Sequence, residues 1–310
     1  MAALHGKDVL RADQFTVDEL HLIMDTAARL ERAVPTEETP RALAGKIMAT
    51  LFYEPSTRTR LSFESAMLRL GGQVISVAEA RTSSSAAKGE TLYDTGKMIE
   101  SYAHVAVIRH PAVGSAQELA EGAAIPVING GDGAGEHPTQ ALLDLYTIKK
   151  ERGRIEGLTV AMVGDLKHGR TVHSLATVLA NFDTRFYFVA PTTLAMPAEV
   201  TAHVRGRGRE IVETPDLAGA LAVSDVLYVT RIQKERFTDE SEYRRVKNVY
   251  VVDTATVRTA KAGITIMHPL PRVDEITKDV DAYAGAAYFR QAANGVWVRM
   301  ALLALLLDKA

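Results

Sequence analysis

The sequence predicts an α/β fold: two doubly wound parallel-sheet domains, each with helices on both faces of its sheet, joined by helices. Short apolar segments alternate with segments of helical periodicity along the chain, a pattern typical of parallel sheets covered by helices. A length of 310 residues exceeds what one core usually fills and favours two domains. Polar residues follow several predicted strands, where open α/β sheets bind ligands.

The predicted strands of the first domain lie at 46–52, 73–77, 104–108 and 125–129. Helical patterns separate them at 61–70, 90–102 and 115–121. A long helix at 138–151 leads to a second series of strands, predicted at 158–163, 185–190, 210–213, 225–230, 249–252 and 264–267. An apolar helix at 293–308 ends the chain.

These elements place the first domain at residues 1–150 and the second at 151–292, with the boundary near Arg152 and Gly153. We expect the C-terminal helix, residues 293–310, to pack back on the first domain. The segment 80–89 is rich in serine and alanine, a composition that predicts a mobile loop.

Composition excludes several classes of function. The chain has 36 Lys and Arg against 38 Asp and Glu, so nothing indicates a nucleic-acid surface. It has no cysteine, which excludes disulfides, thiolate catalysis and cysteine metal sites and is compatible with a reducing cytoplasm. The longest apolar stretch, Met300 to Leu307, falls short of the ~20 residues needed to span a bilayer. The first residues contain no long apolar run, so we expect no secretory signal, no membrane partner and a cytoplasmic location.

The most informative segment is Ser56-Thr57-Arg58-Thr59-Arg60, which follows an apolar strand and opens a helix. Unpaired amides and the positive end of the dipole at a helix N-terminus attract a dianion. The two guanidiniums can add forked hydrogen bonds to phosphate oxygens. A capped surface helix with solvated arginines is the alternative, but this density of hydroxyls and arginines favours a phosphate site.

Other predicted strands also end in polar residues. They lead to Arg109, to Glu136-His137-Pro138-Thr139-Gln140, to the segment 164–174, to Arg231-Ile232-Gln233 and to His268-Pro269-Leu270-Pro271. Taken alone, Arg109 is equally well a surface charge and His137 a helix cap. A nucleotide loop at Gly164 to Gly169 is disfavoured because the GxGxxG spacing is absent. The repetition at successive strand ends favours a site for anions.

These motifs resemble those of the aspartate/ornithine transcarbamoylase family, in order, from about residue 5 to the C-terminus. Ser56 to Arg60 with His137 to Gln140 resembles its carbamoyl-phosphate signature. The segments that begin at Gly164, Arg231 and His268 are similar to the motifs of its aspartate-binding branch. The ornithine branch is the nearest rival, but it typically has a cysteine where this chain has Pro269. Arg231 and Gln233 also suit a carboxylate rather than an ammonium group.

The resemblance implies transfer of the carbamoyl group of carbamoyl phosphate to the amine of L-aspartate, in pyrimidine biosynthesis. It implies no metal and no cofactor. The carbamoyl-phosphate ligands would be Ser56, Thr57, Arg58, Thr59, Arg109, His137 and Gln140, with the backbone carbonyls of Leu270 and Pro271. Among them Thr59, Arg109 and His137 would polarise the carbonyl, where preformed donors stabilise developing negative charge. Arg58 and Lys88 would complete the catalytic set.

Aspartate would be bound by Lys88, Arg170, Arg231 and Gln233. In the family a serine and a lysine of the 80–90 loop reach the neighbouring subunit's site in a homotrimer, and Ser84 and Lys88 match them by spacing. Many relatives have two adjacent lysines where this chain has Ala87-Lys88. The resemblance leaves open whether the trimer stands alone or joins regulatory chains or dihydroorotase.

Glu54, Lys167 and Arg236 resemble residues of salt bridges that close the two domains over the substrates. Ordinary surface ion pairs are the alternative for these three. An inactive relative kept as an assembly subunit is an alternative of another class. The matched positions are intact, Arg58, His137 and Arg231 among them, which favours an active transferase.

Overall fold

The computed structural model describes residues 4–33, 41–237 and 239–309. The chain divides into two compact units. One comprises the residues up to Leu143 together with those from Ala293 onward, and the other is Asp144–Ala292. Each unit contains a parallel sheet flanked by helices, which confirms the predicted fold class.

The first unit is built on a four-stranded parallel sheet in the order β2-β1-β3-β4. Its strands are β1 (Ile47–Phe52), β2 (Gln73–Ala78), β3 (Val105–His110) and β4 (Val127–Asp132). Its helices are α1 (Val17–Ala33), α2 (Thr57–Arg69), α3 (Ala80–Ser83), α4 (Leu92–Ile99) and α5 (Ser115–Gly122). Helix α6 (Pro138–Arg152) begins in this unit and ends in the second.

The second unit has a five-stranded parallel sheet in the order β7-β6-β5-β8-β9. Its strands are β5 (Leu158–Val163), β6 (Thr184–Val189), β7 (Ile211–Thr214), β8 (Val226–Val229) and β9 (Thr265–Met267). The helices are α7 (Arg170–Leu179), α8 (Ala198–Gly206), α9 (Leu217–Val223), α10 (Glu240–Val246), α11 (Thr254–Thr259) and α12 (Tyr288–Leu306), the last of which returns to the first unit.

The central strands β1, β3, β5 and β8 are nearly continuous apolar runs whose consecutive residues are buried, as in sheets covered on both faces. In the first unit, side chains of β1, β3 and α5 form a buried cluster that includes Leu51, Ile108 and Leu119. In the second, Val163 and Val229 pack in a cluster with residues of α9 and β9. The strands' carboxyl ends therefore lie at a fixed edge of each sheet, where the polar residues follow.

Three expectations differ from the structure. Residues 249–252 do not form a strand, since Val252 makes only an isolated bridge to Ile276 and Asp253 then caps α11 by accepting the N–H of Thr256 at 2.7 Å. The 80–89 loop contains α3 and a 3₁₀ turn, Ser85–Lys88, stabilised by its own serine hydroxyls. The C-terminal helix begins at Tyr288 rather than 293. Within the described ranges, no helix is long and apolar enough to cross a membrane.

Candidate active site

The turn between β1 and α2 carries the predicted phosphate ligands. Ser56 precedes the helix with extended backbone (φ −157°), and its hydroxyl does not cap the helix. Thr57 and Arg58 are exposed, whereas Thr59 is buried. Partial desolvation lowers the pKa of Arg58 from its ordinary value, yet a guanidinium stays protonated in proteins. The turn thus offers hydroxyls, a cation and first-turn amides, the donors that a phosphate dianion needs.

Arg109 and Thr59 lie next to each other at the carboxyl edge of this sheet. Nη1 of Arg109 donates to the carbonyl of Gly130 at 3.2 Å. A Cβ built on Gly130 would lie 3.5 Å from Cγ2 of Thr59, so Arg109 and Thr59 lie beside the same glycine. The Nε of Arg109 is 3.6 Å from Oε2 of Glu54. A substrate carbonyl here would meet a hydroxyl and a guanidinium that the fold already orients.

His137 is buried and directly precedes α6. Its carbonyl accepts the N–H groups of Gln140 at 3.0 Å and Ala141 at 3.2 Å, which fixes Gln140 in the first turn. The backbone that leads to His137 is held by Asp132. Its carboxylate accepts the N–H of Gly114 at 2.8 Å and the N–H of Glu136 at 2.6 Å. The structure therefore brings the strand ends of β1, β3 and β4 to one edge.

The 80–90 loop belongs to the same unit, and its serine hydroxyls bond to residues of the loop itself or to those just before it. Ser84 donates to the carbonyl of Ala80 and accepts the N–H of Ala86 at 3.2 Å. Lys88 is exposed at the end of the 3₁₀ turn. Burial raises the pKa of the nearby Tyr53 phenol, and Thr95 and Ser84 oppose that shift. The serine thus stabilises the loop, and the lysine extends into solvent.

In the second unit, Asp165 organises the residues that follow β5 and β8. Its fully buried carboxylate accepts the N–H of His168 at 3.0 Å and the N–H of Gln233 at 3.4 Å. The side-chain amide of Gln233 donates to the carbonyl of His168 at 3.2 Å. Helix α7 begins immediately after this turn, at Arg170. Because β5 and β8 are sheet neighbours, Arg170 and Gln233 belong to one connected set of loops.

Gly164 permits this arrangement. Its φ is +119°, and a Cβ there would lie 2.1 Å from the carbonyl oxygen of Thr230. Only glycine fits such a contact. The backbone of Thr230 in turn donates to Val163 at 2.8 Å, so the half-buried Arg231 leaves the sheet beside the Gly164 turn.

The segment after β9 is held in place by a buried residue, His268. His268 is buried, with Nε2 2.7 Å from Oε1 of Glu275 and Nδ1 accepting the N–H of Leu270 at 2.7 Å. Leu270 has φ +53°, and the Leu270–Pro271 bond is cis. Leu270 is half-buried and Pro271 exposed. Their carbonyls therefore belong to a loop fixed by an imidazole.

Lys167 and Arg236, predicted as closure residues, are exposed. Sequence reasoning missed Asp132, Asp165 and Glu275, which hold the turns that carry predicted ligands. For Asp132 and Asp165 the available signal was a carboxylate within three residues of a predicted strand end, as in Gly164-Asp165. Such a residue can accept the loop's backbone N–H groups. Glu275 lies eight residues beyond its strand and has no such signal.

Two family models cover nearly the whole chain. The carbamoyl-phosphate-binding domain of aspartate/ornithine carbamoyltransferases matches residues 7–150. The aspartate/ornithine-binding domain of the same enzymes matches residues 156–306. The chain belongs to the aspartate/ornithine carbamoyltransferase family, which confirms the resemblance read from the motifs.

Similar proteins in the family are named aspartate carbamoyltransferases. The aspartate carbamoyltransferase catalytic subunit of Thermococcus kodakarensis is 54% identical over 302 residues, 97% of each chain. The chloroplastic aspartate carbamoyltransferase of Arabidopsis thaliana is 51% identical, over 97% of this chain and 77% of its own.

Solved structures agree. Aspartate transcarbamoylase from Trypanosoma cruzi, in complex with carbamoyl phosphate and aspartate, is 42% identical with a TM-score of 0.94, over 99% of this chain and 98% of that one. The catalytic subunit of M. Jannaschii aspartate transcarbamoylase is 48% identical with a TM-score of 0.91, over 97% of this chain and 98% of that one.

Proposed function

We propose that this chain transfers the carbamoyl group of carbamoyl phosphate to the amine of L-aspartate, giving N-carbamoyl-L-aspartate and phosphate. It is an aspartate carbamoyltransferase. The observation that carries this conclusion is the pairing of two anion sites of different character. A phosphate-type turn lies at the edge of the first sheet, and two arginines with a glutamine lie at the edge of the second.

Carbamoyl phosphate is bound through its phosphate by Ser56, Thr57, Arg58 and Thr59. The carbonyl oxygen is met by Thr59, Arg109 and His137. Support comes from the positions of Thr59 and Arg109 beside the same glycine, Gly130, and from the burial of His137. The carbamoyl NH2 group is accepted by Gln140 and by the carbonyls of Leu270 and Pro271.

L-Aspartate is bound by its two carboxylates, one at Arg170 and the other at Arg231 with Gln233. Guanidinium groups bind carboxylates through forked, charge-assisted hydrogen bonds. The shared Asp165 turn supports a joint role for Arg170 and Gln233. A prolyl residue, Pro269, stands where the ornithine branch typically has cysteine, which favours aspartate over ornithine as the acceptor.

The reaction needs positioning and charge stabilisation. The aspartate amine attacks the carbonyl carbon, so a C–N bond forms while the bond from carbon to the phosphate oxygen breaks. The amine proton passes to the departing phosphate. Negative charge grows on the carbonyl oxygen during attack, and the donors of Thr59, Arg109 and His137 stabilise it most at that stage.

The active form is a homotrimer in which Ser84 and Lys88 act in the neighbouring subunit's site. The exposed position of Lys88 supports this assignment. Exposed apolar side chains on α2 and the edge strand β2, Leu61, Leu68 and Ile75, offer a surface for association. The native mass of the purified protein tests the trimer and any regulatory chains.

Turnover tests the proposed reaction. The purified protein should form N-carbamoyl-L-aspartate from carbamoyl phosphate and L-aspartate. Arg58→Ala should be nearly inactive, whereas Arg69→Ala, the same change at the far end of α2 where Arg69 contacts Ser65 and Trp297, should remain active. An equal or faster reaction with L-ornithine would overturn the choice of acceptor. Absence of turnover in a folded trimer would favour an inactive assembly subunit.

A further inference from the structure

The loop His268-Pro269-Leu270-Pro271 has a single backbone donor in its last three residues. Proline has no N–H group, so Leu270 is the only residue of 269–271 that can donate. Its N–H goes to Nδ1 of His268 at 2.7 Å. Leu270 also has φ +53°, a region that side-chain-bearing residues rarely adopt. The conformation of this loop therefore depends on the His268 imidazole.

The two partners of His268 define its tautomer. Nδ1 accepts a backbone N–H, so it carries no proton. The proton of the neutral ring is then on Nε2, which lies 2.7 Å from Oε1 of Glu275 and donates to that carboxylate. The carboxylate thereby fixes which nitrogen faces Leu270.

Glu275 is held in place to do this. Its carboxylate also accepts the N–H of Val273 at 3.2 Å and the N–H of Asp274 at 3.2 Å. Burial alone would raise the pKa of Glu275, but the hydrogen bonds from His268 and Val273 hold it below its ordinary value. The residue stays ionised at neutral pH.

The surroundings keep His268 neutral. Burial lowers the pKa of the imidazole, and the positive charges of Arg272 and Arg231 lower it further, while Glu275 opposes them without reversing the shift. Arg272 itself is held by Asp281 and by the hydroxyl of Tyr288 at 3.0 Å. A neutral ring leaves Nδ1 available as an acceptor.

The backbone behind the ring is anchored as well. The N–H of His268 donates to Oε1 of Gln291 at 2.9 Å, and Nε2 of Gln291 donates to Asp144 at 2.6 Å. The same buried carboxylate accepts the hydroxyl of Tyr228 at 2.7 Å. His268 is thus fixed both through its backbone N–H and through its ring nitrogens.

We propose that Glu275 is a positioning residue that acts through His268 to aim the carbonyls of Leu270 and Pro271, and that this loop selects a carbamoyl group over an acetyl group. The proposal rests on the proposed function, in which those carbonyls accept the substrate NH2. Acetyl phosphate has a methyl group in place of NH2 and cannot donate to them. A correctly aimed pair of carbonyls therefore favours carbamoyl phosphate, and a misaligned pair loses that preference.

Binding titrations with carbamoyl phosphate and acetyl phosphate test the proposal. The wild-type protein should bind carbamoyl phosphate at least tenfold more tightly. Glu275→Gln should raise the Kd of carbamoyl phosphate about tenfold and change that of acetyl phosphate less than twofold. Glu210→Gln, the same change at the exposed pair of Glu210 with Arg185, should change neither.

Two substitutions of His268 distinguish its contact with Leu270 from its contact with Glu275. In His268→Asn the side-chain oxygen can replace Nδ1 as acceptor for Leu270, and in His268→Gln the amide can replace Nε2 as donor to Glu275. We expect His268→Gln to lose carbamoyl selectivity and His268→Asn to retain more of it. Adding Glu275→Gln to His268→Asn should change selectivity less than twofold, because Glu275 no longer acts through the ring.

Equal weakening of both acyl phosphates in Glu275→Gln would show general damage and overturn the proposal. Equal binding of the two by the wild-type protein would overturn it without any variant. Selective binding of carbamoyl phosphate without aspartate turnover would refute the proposed function and leave the loop's role standing.

Discussion

Replacing Asp165 with asparagine should weaken aspartate binding and spare carbamoyl phosphate. The buried carboxylate of Asp165 accepts the N–H of His168 on one oxygen and the N–H of Gln233 on the other. Asparagine supplies one oxygen and one NH2 group, so one of the two backbone donors loses its acceptor. The turn that carries Gln233 and precedes Arg170 should then shift.

The two hydrogen bonds indicate the magnitude. The bond to His168, at 3.0 Å, is of ordinary length and has a charged acceptor, so its loss should cost about 1.5–3 kcal/mol of unfolding free energy. The bond to Gln233, at 3.4 Å, is long and contributes less. If about half of this penalty is relieved by movement of the loop, the affinity for a dicarboxylate should fall about tenfold.

Succinate, a dicarboxylate without the reactive amine, provides the assay. Its Kd in the presence of saturating carbamoyl phosphate should rise about tenfold in Asp165→Asn, while the Kd of carbamoyl phosphate changes less than twofold. Asp253→Asn is the matched control, since Asp253 also accepts a backbone N–H, that of Thr256 at 2.7 Å, but at the start of α11. Unchanged succinate binding, or an equal loss for both ligands, would refute the reasoning.

Mixed trimers test the shared site. The Lys88→Ala and Arg58→Ala proteins should each be nearly inactive alone. Trimers reassembled from both should regain activity, because some interfaces join an intact Arg58 to an intact Lys88 of the neighbouring subunit. Verified hybrids that show no gain would exclude a shared site. A second prediction concerns acid stability. Burial would raise the pKa of Asp225, but hydrogen bonds from Lys261 and the backbone and the charge of Arg152 lower it below its ordinary value. A depressed carboxylate stabilises the fold above its unfolded pKa, about 3.9, and that contribution is lost as the pH falls through the folded value. Asp225→Asn should therefore cost on the order of 2 kcal/mol at pH 7, with a difference from wild type in urea unfolding that shrinks below pH 4. A difference that stays constant down to pH 2 would contradict this.

The fold class could be predicted because the sheets are parallel and buried on both faces, so their strands are short apolar runs. The sequence predicts a strand over residues 158–163, and β5 covers the same residues. Residues 249–252 have the same apolar character, and Tyr250 and Val252 are indeed buried. Burial alone does not make a strand, since Val252 finds only one bridge partner, and the sequence pattern cannot reveal the missing neighbour.

The predicted ligands of each unit follow strand ends, and parallel pairing brings neighbouring ends to one edge. For this reason Thr59 and Arg109 could be placed together from sequence. The supporting carboxylates could not, because their role depends on side-chain hydrogen bonds between distant segments. Asp165 and Gln233 are 68 residues apart, and no periodicity links them.

The central claim is that each unit supplies one half of the active site. Titration of Arg231→Ala and Arg58→Ala with carbamoyl phosphate, and with succinate in its presence, tests this most directly. In Arg231→Ala the affinity for succinate should fall by about 2–3 kcal/mol, the loss of hydrogen bonds to a charged group, and the affinity for carbamoyl phosphate should change less than twofold. In Arg58→Ala the affinity for carbamoyl phosphate should fall by a similar amount. If Arg231→Ala weakens carbamoyl phosphate as much as succinate, the assignment of the two half-sites is wrong.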